Sequence, residues 1–141
     1  MKIGILTTLH DRLLPFLIKE VSSIKNIKFY LIFAESHNEK KEIKILKERT
    51  NDFFTKQTYD LFNSKLIIES FFVSSHNSEK CKKIIEMFRF DYLYNSGTPN
   101  KLKNSIIKKT KGIINIHPGI LPMYRGCSCP EWTLYNNDPL G

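Results

Sequence analysis

The chain is predicted to fold as a three-layer α/β sandwich around a mainly parallel sheet. Two observations carry that prediction. Short apolar runs rich in β-branched and aromatic residues recur along the sequence, and stretches with apolar residues at helical spacing lie between them. A third, the run at residues 113–116, breaks off into polar residues and turn formers, as strands of open α/β sheets do where their sites lie.

Each element follows in order. Lys2 to Thr8 makes the first strand. Leu14, Leu17, Ile18 and Val21 then recur at helical spacing, and Pro15 is tolerated in the first turn, where its missing N–H costs nothing. Lys28 to Ala34 is a second strand. Ile43, Leu46, Thr50 and Phe54 mark a second helix with a charged outer face, and Phe71 to Ser74 ends a third strand. Asn77 or Ser78 caps a helix carrying Cys81, Ile84, Ile85 and Phe88 on one face, and Asp91 to Asn95 forms the fourth strand. Thr98 and Pro99 open the next helix, and Gly112 ends it and begins the fifth strand. Strand–helix alternation of this kind implies crossover connections and a Rossmann-like fold. Residues 4–11 contain a single glycine, Gly4, so no GxGxxG loop follows the first strand and a conventional dinucleotide site is excluded there.

At 141 residues the chain is one domain with room for a real core. Lys and Arg number 22 against 14 Asp and Glu, a net charge of +8. Most of the Lys fall in expected surface helices, interleaved with Glu between residues 39 and 49, so the balance describes a solvated surface. Only Lys101 to Lys111 is a clean cationic run, and no aromatic residues interleave it as a stacking platform for nucleic acid requires. Three Cys without regular spacing make no disulfide framework, and Met1 to Leu9 is too short and too soon followed by His10, Asp11 and Arg12 for a signal peptide. A reducing cytoplasm fits, and no apolar run approaches the length of a membrane span.

The chemistry concentrates in GIINIHPGILPMYRG, residues 112–126. Ile113, Ile114 and Ile116 suit a strand buried on both faces, and Asn115 and His117 interrupt it at its carboxyl end. In a regular strand these two side chains point the same way, so an amide and an imidazole can converge on one reacting atom. Pro118 and Gly119 stop the strand, Pro122 stiffens the loop, and Tyr124, Arg125 and Gly126 bring a ring, a cation and a permissive backbone to its far side. An Asn and a His at a strand end also occur as satisfied structural side chains, and spacing alone leaves both roles open.

NIHPGILPMYRG, continuing into CSCPEWTLYNNDPLG, resembles the signature of the formyltransferases that use formyl-tetrahydrofolate, a family with glycinamide ribonucleotide, methionyl-tRNA and nucleotide-linked amino-sugar members. The strict match covers Asn115 to Gly126. The resemblance implies a formyltransferase-type Rossmann-like domain, with Asn115 and His117 catalytic and 10-formyltetrahydrofolate as formyl donor. Asn115 would steady the oxygen of a tetrahedral intermediate and His117 would move the proton. The loop of Asn95, Ser96, Gly97, Thr98 and Pro99 matches by position the wall against which the family packs its pterin; a glycine turn with a helix cap is the other role for Ser96 to Thr98. Asn115 and His117 would also touch the donor.

Substrate contacts are expected from Pro118, Gly119, Tyr124, Arg125 and Gly126, and from His76 and Asn77 just past the third strand, for which a helix cap is the alternative. CSCPEW most resembles members acting on nucleotide-linked amino sugars, so such a sugar is the expected small-molecule partner. Methionyl-tRNA or glycinamide ribonucleotide as acceptor, or a non-catalytic folate- or partner-binding relative, are the alternatives. The family's catalytic Asp lies in a later DxGxDxG-like segment and Asp138 is not its equivalent, so residues 1–141 are expected to form an amino-terminal domain incomplete at its C-terminus and, without that Asp, inactive by itself. An exposed edge at the fifth strand would favour a homodimer. Cys127 and Cys129, without a further Cys/His pair, predict small buried thiols and no metal. Ser128 and Glu131 suggest a capping box, Trp132 a core position, and His10 and His37 the surface.

Overall fold

The computed structural model describes residues 1–9, 11, 13–35, 39–51, 65, 67–126 and 128–141. Its elements run β1 (Lys2–Thr7), α1 (Leu14–Glu20), a short 3-10 turn (Val21–Ser23), β2 (Lys28–Ala34), α2 (Glu39–Thr50), β3 (Ile67–Val73), α3 (Glu79–Phe88), β4 (Tyr92–Asn95), α4 (Asn104–Ile107), β5 (Ile113–Asn115) and α5 (Cys129–Tyr135). The strands form one sheet in the order β3-β2-β1-β4-β5, with every pair parallel. Chain order reverses direction at β1 and β4, so their carboxyl ends flank the switch point where a crevice opens.

Side-chain alternation along the strands divides the core in two. Ile3 and Ile5 of β1 join Phe29, Leu31 and Phe33 of β2 on one face, where Leu14 and Ile18 of α1 cover them. Leu6, Tyr30, Ile32 and Leu93 point to the other face, against Cys81, Ile84 and Ile85 of α3 and Ile106 of α4. These are the three layers expected from the alternation. Phe88 at the end of α3 anchors an aromatic cluster, its ring 5.2 Å from Tyr30 and 5.0 Å from Phe71. Burial pushes the Cys81 thiol up to about 12, so it is an inert core group.

α3 begins as its sequence requires. Ser78 is the N-cap, its Oγ accepting from the Cys81 N–H at 3.2 Å, and Arg89 closes the helix in the left-handed region. The sheet's lower end is pinned by Asp91, whose Oδ2 accepts from the Lys2 N–H at 2.9 Å while Oδ1 pairs with Lys111 Nζ at 2.7 Å. That pairing, led by Lys111, holds the Asp91 carboxyl below its ordinary range.

Other expectations are corrected. β5 is only three residues long and lies at the sheet edge, with Ile114 45% and Ile116 69% exposed, where the apolar run suggested burial on both faces. The helices cover the central strands and leave this edge open. α4 starts at Asn104 and ends at Ile107, so Thr98 and Pro99 open a loop and not a helix. Phe54, His10, His37 and Cys127 lie outside the described residues. No helix among the described residues is long and apolar enough to cross a membrane.

Gly4 shows how tightly β1 is packed. A Cβ there would lie 2.9 Å from both Leu93 Cδ2 and Phe90 Cδ2, and both side chains are buried. Gly4→Val, although favoured by strand propensity, is expected to destabilise the fold by about 1–3 kcal/mol through overpacking. The urea midpoint should fall, and an unchanged midpoint would contradict this packing.

Candidate functional site

The site is built where β1, β4 and β5 end. Asp11 follows β1 and gathers four donors. Its Oδ2 accepts from Thr7 Oγ1 at 2.8 Å and from Ser96 Oγ at 2.5 Å, and its Oδ1 accepts from the N–H groups of Leu13 and Leu14, both at 3.1 Å. One carboxylate therefore ties the end of β1 and the start of α1 to the loop after β4. Asp11 had no part in the sequence-based site. The available signal was an Asp just ahead of a Pro-containing apolar helix start, the pattern of an N-terminal cap. Burial, then the Asp11 charge, holds the Tyr94 phenol above its ordinary value, partly offset by a hydrogen bond with Ser96.

The loop of residues 95–99 stands directly beside the NIHPG motif. Asn95 Oδ1 accepts from the Thr98 N–H at 3.0 Å and the Gly97 N–H at 3.3 Å. Its Nδ2 donates to Asn115 Oδ1 at 2.8 Å. Backbone N–H groups only donate, so they settle which end of the Asn95 amide faces them, and that end settles which end of Asn115 faces Asn95. The result is an Asn115 whose oxygen is occupied and whose exposed Nδ2 hydrogens face away from Asn95. Its Nδ2 also donates to the Ile116 carbonyl at 3.5 Å, a long and weak bond. Gly97 has φ +115° and no atom within 4 Å of where a Cβ would stand, so a flat ring can approach this backbone closely.

His117 is half-buried and lies past the end of β5, so regular strand alternation does not align it with Asn115. A loop holds it instead. Nε2 of His117 is 2.8 Å from the Tyr124 carbonyl and 3.3 Å from Cys129 Sγ, and the thiol donates to the Gly126 carbonyl at 3.1 Å. The loop closes this tightly because Gly119 lacks a side chain: a Cβ there would meet the Tyr124 carbonyl at 2.8 Å and Cys129 Cβ at 2.9 Å. Cys129 is buried as expected, but it touches His117, a contact that spacing could not reveal.

Pro118, Arg125 and Gly126 are exposed around the loop, and Gly126 has φ +90°. Tyr124 donates its hydroxyl to Asp138 Oδ2 and accepts from Asn136 Nδ2 at 2.9 Å. Asp138 holds the Tyr124 phenol above its ordinary value. Met123, Tyr124, Arg125, Cys129, Trp132 and Asn136 line an adjoining cleft of about 220 Å³. Trp132 faces it, 58% exposed, and is not core. Ser128 adopts a left-handed conformation at φ 58° and makes no side-chain cap, so the expected capping box does not form. Among the described residues no group of three or more His, Cys, Asp or Glu side chains could hold a metal.

His76 and Asn77 do not cap α3. Asn77 clamps the loop before α4, donating Nδ2 to the Lys101 carbonyl at 3.0 Å and accepting from the Lys103 N–H at 2.8 Å. His76 is 2% exposed, with Nε2 2.9 Å from the Ile32 carbonyl and Nδ1 without a hydrogen-bond partner. Burial lowers its pKa from the ordinary 6.5, against the opposing pull of the Ile32 and Thr7 carbonyls.

No protein-family model matches the chain. No curated protein matches it either. The fold and the placement of the site at the strand ends define an all-parallel α/β domain of the Rossmann-like class. Within that class the chain is similar to the crystal structure of glycinamide ribonucleotide transformylase 1 from Symbiobacterium toebii, with a TM-score of 0.61 and 13% sequence identity, over 96% of this chain and 60% of that one. At that identity the shared property is the fold, and this chain spans under two thirds of the neighbour's length.

The His76 environment sets a pH dependence. In the unfolded chain the imidazole takes up a proton near 6.5, whereas the folded chain resists it to lower pH, so the unfolded state binds more protons in between. Stability is expected to be fully present above 6.5 and to fall as pH drops below it. Urea unfolding of the unsubstituted chain and of His76→Gln across this range should show the slope flattened in the variant; equal slopes would remove His76 as the cause.

Proposed function

We propose that this chain is the formyl-binding and catalytic portion of a formyltransferase that moves the formyl group of 10-formyltetrahydrofolate to the amine of a nucleotide-linked amino sugar. The observation that carries this reading is the 2.8 Å hydrogen bond joining Asn95 of the open loop to Asn115 of the NIHPG motif. It holds the Asn115 amide beside the open loop, at the adjoining ends of β4 and β5, which supports the reading. The fold shared with a transformylase supports the reaction class. The amino-sugar acceptor rests on the CSCPEW continuation after YRG.

Bound folate would supply an activated formyl group. In the net exchange a bond forms between the acceptor nitrogen and the formyl carbon, and the bond from that carbon to the folate nitrogen breaks. The acceptor nitrogen gives up one proton and the folate nitrogen gains one, leaving an N-formyl amine and tetrahydrofolate. Asn115 donates an Nδ2 hydrogen to the formyl oxygen as negative charge gathers on it, which stabilises the charged arrangement more than the ground state. His117 carries the proton between the two nitrogens, a task suited to an imidazole near neutral pH. Residues 95–99 present open backbone to the pterin, and Arg125 lies on the rim where an anionic nucleotide would pass. His76 and Asn77 hydrogen-bond the protein's own backbone.

Formyl transfer should be measured with nucleotide-linked 3-amino and 4-amino sugars, glycinamide ribonucleotide and methionyl-tRNA as acceptors, for this chain and for a form continued beyond Gly141. Transfer to an amino sugar is expected in the continued form. His117→Ala should lower kcat by about 10²–10⁴-fold, and Asn115→Ala by about 10²–10³-fold. Calorimetry that finds no binding of formyl-tetrahydrofolate to either form would overturn the assignment.

A further inference from the structure

The two groups facing His117 Nε2 decide where the proton of its neutral imidazole resides. A carbonyl oxygen has lone pairs and no hydrogen, so the nitrogen 2.8 Å from the Tyr124 carbonyl must be the one that carries the N–H. The thiol is oriented by the same logic. Cys129 Sγ lies 3.1 Å from the Gly126 carbonyl, which takes the S–H, and the sulfur therefore meets Nε2 at 3.3 Å with a lone pair. Both neighbours of Nε2 are acceptors, and a neutral imidazole has a single N–H to offer them.

The acceptors are themselves held in place. Thr133 Oγ1 donates to the Cys129 carbonyl at 2.7 Å within the first turn of α5, and Thr133 is fully buried. A Cβ on Gly119 would meet the Tyr124 carbonyl at 2.8 Å and Cys129 Cβ at 2.9 Å, so glycine at this position is what lets both groups take these places. Cys129 is 2% exposed, so its sulfur is held among protein groups.

We propose that the Tyr124 carbonyl and the Cys129 thiol lock neutral His117 as its Nε2–H tautomer and leave Nδ1 as the nitrogen that exchanges protons. Cys129 is a positioning residue in this arrangement: it acts on chemistry only through the imidazole. That Nδ1 serves formyl transfer rests on the function proposed above, whereas the tautomer is a property of the loop alone.

The test uses the chain labelled with ¹⁵N at histidine and long-range ¹H–¹⁵N correlation above the imidazole titration range, at a pH of about 8. The His117 signals are identified by their loss in His117→Gln. In the unsubstituted chain Nε2 should resonate as the protonated nitrogen, with the Nε2–H form favoured about tenfold, the ratio that one ordinary buried hydrogen bond supports. Cys129→Ala should lower that ratio, and Cys129→Ser, which restores an acceptor, should recover it. A majority of Nδ1–H in the unsubstituted chain would overturn the proposal, as would a Cys129→Ala ratio equal to that of the unsubstituted chain. The measurement needs neither formyl donor nor acceptor, so its failure is distinct from a failure of formyl transfer.

Discussion

The burial of β1 is the constraint on which the rest depends. Residues 3–8 of the first strand and its end are all dry, covered by helices on both faces and by β2 and β4 along both edges. A strand in that position can satisfy its backbone polar groups only through its two neighbours, which obliges β2 and β4 to run beside it in register. Gly4 is the point of closest approach, where the absence of a side chain admits Leu93 and Phe90. Beyond Thr8 the protection ends, and the groups left at that end must find other partners. Asp11 meets this need, collecting Thr7, the start of α1 and Ser96 on one carboxylate.

The same requirement propagates outward to the exposed edge. Backbone N–H groups orient Asn95, Asn95 orients Asn115, and backbone carbonyls orient both Cys129 and His117. At each step a group that can only donate or only accept removes the ambiguity of a group that can do either. The polarity of the candidate site is thus inherited from the main chain, whose hydrogens and oxygens cannot be exchanged. This gives the short edge strand β5 a well-defined chemical face although few side chains pack against it.

Much of the architecture could be anticipated from residue patterns. β2 falls on Lys28–Ala34 as its apolar run indicated, Ser78 caps α3, and the five strands and the helices between them follow in the expected order. Those features depend on local spacing and on side chains that compete for nearby backbone groups. Misjudged positions have a common cause. Ile114, Ile116 and Trp132 are apolar and suggested burial, yet apolar character does not say whether a covering element is present, and β5 has a neighbour on one edge only. Ser128 and Glu131 have capping-box spacing, but Ser128 takes a left-handed conformation and its side chain makes no cap.

Sequence alone was enough for the α/β class, and it nominated Asn115, His117 and the loop of residues 95–99 as candidates, because periodicity and a compact motif are properties of neighbours along the chain. Tertiary structure alone decided that Asn95 turns Asn115, that Asp11 joins three elements, that Cys129 reaches His117, and that His76 is enclosed with one nitrogen unpartnered. Each of these contacts links residues brought together by folding of the chain, and hydrogen bonding depends on distance and direction in space, neither of which residue order contains.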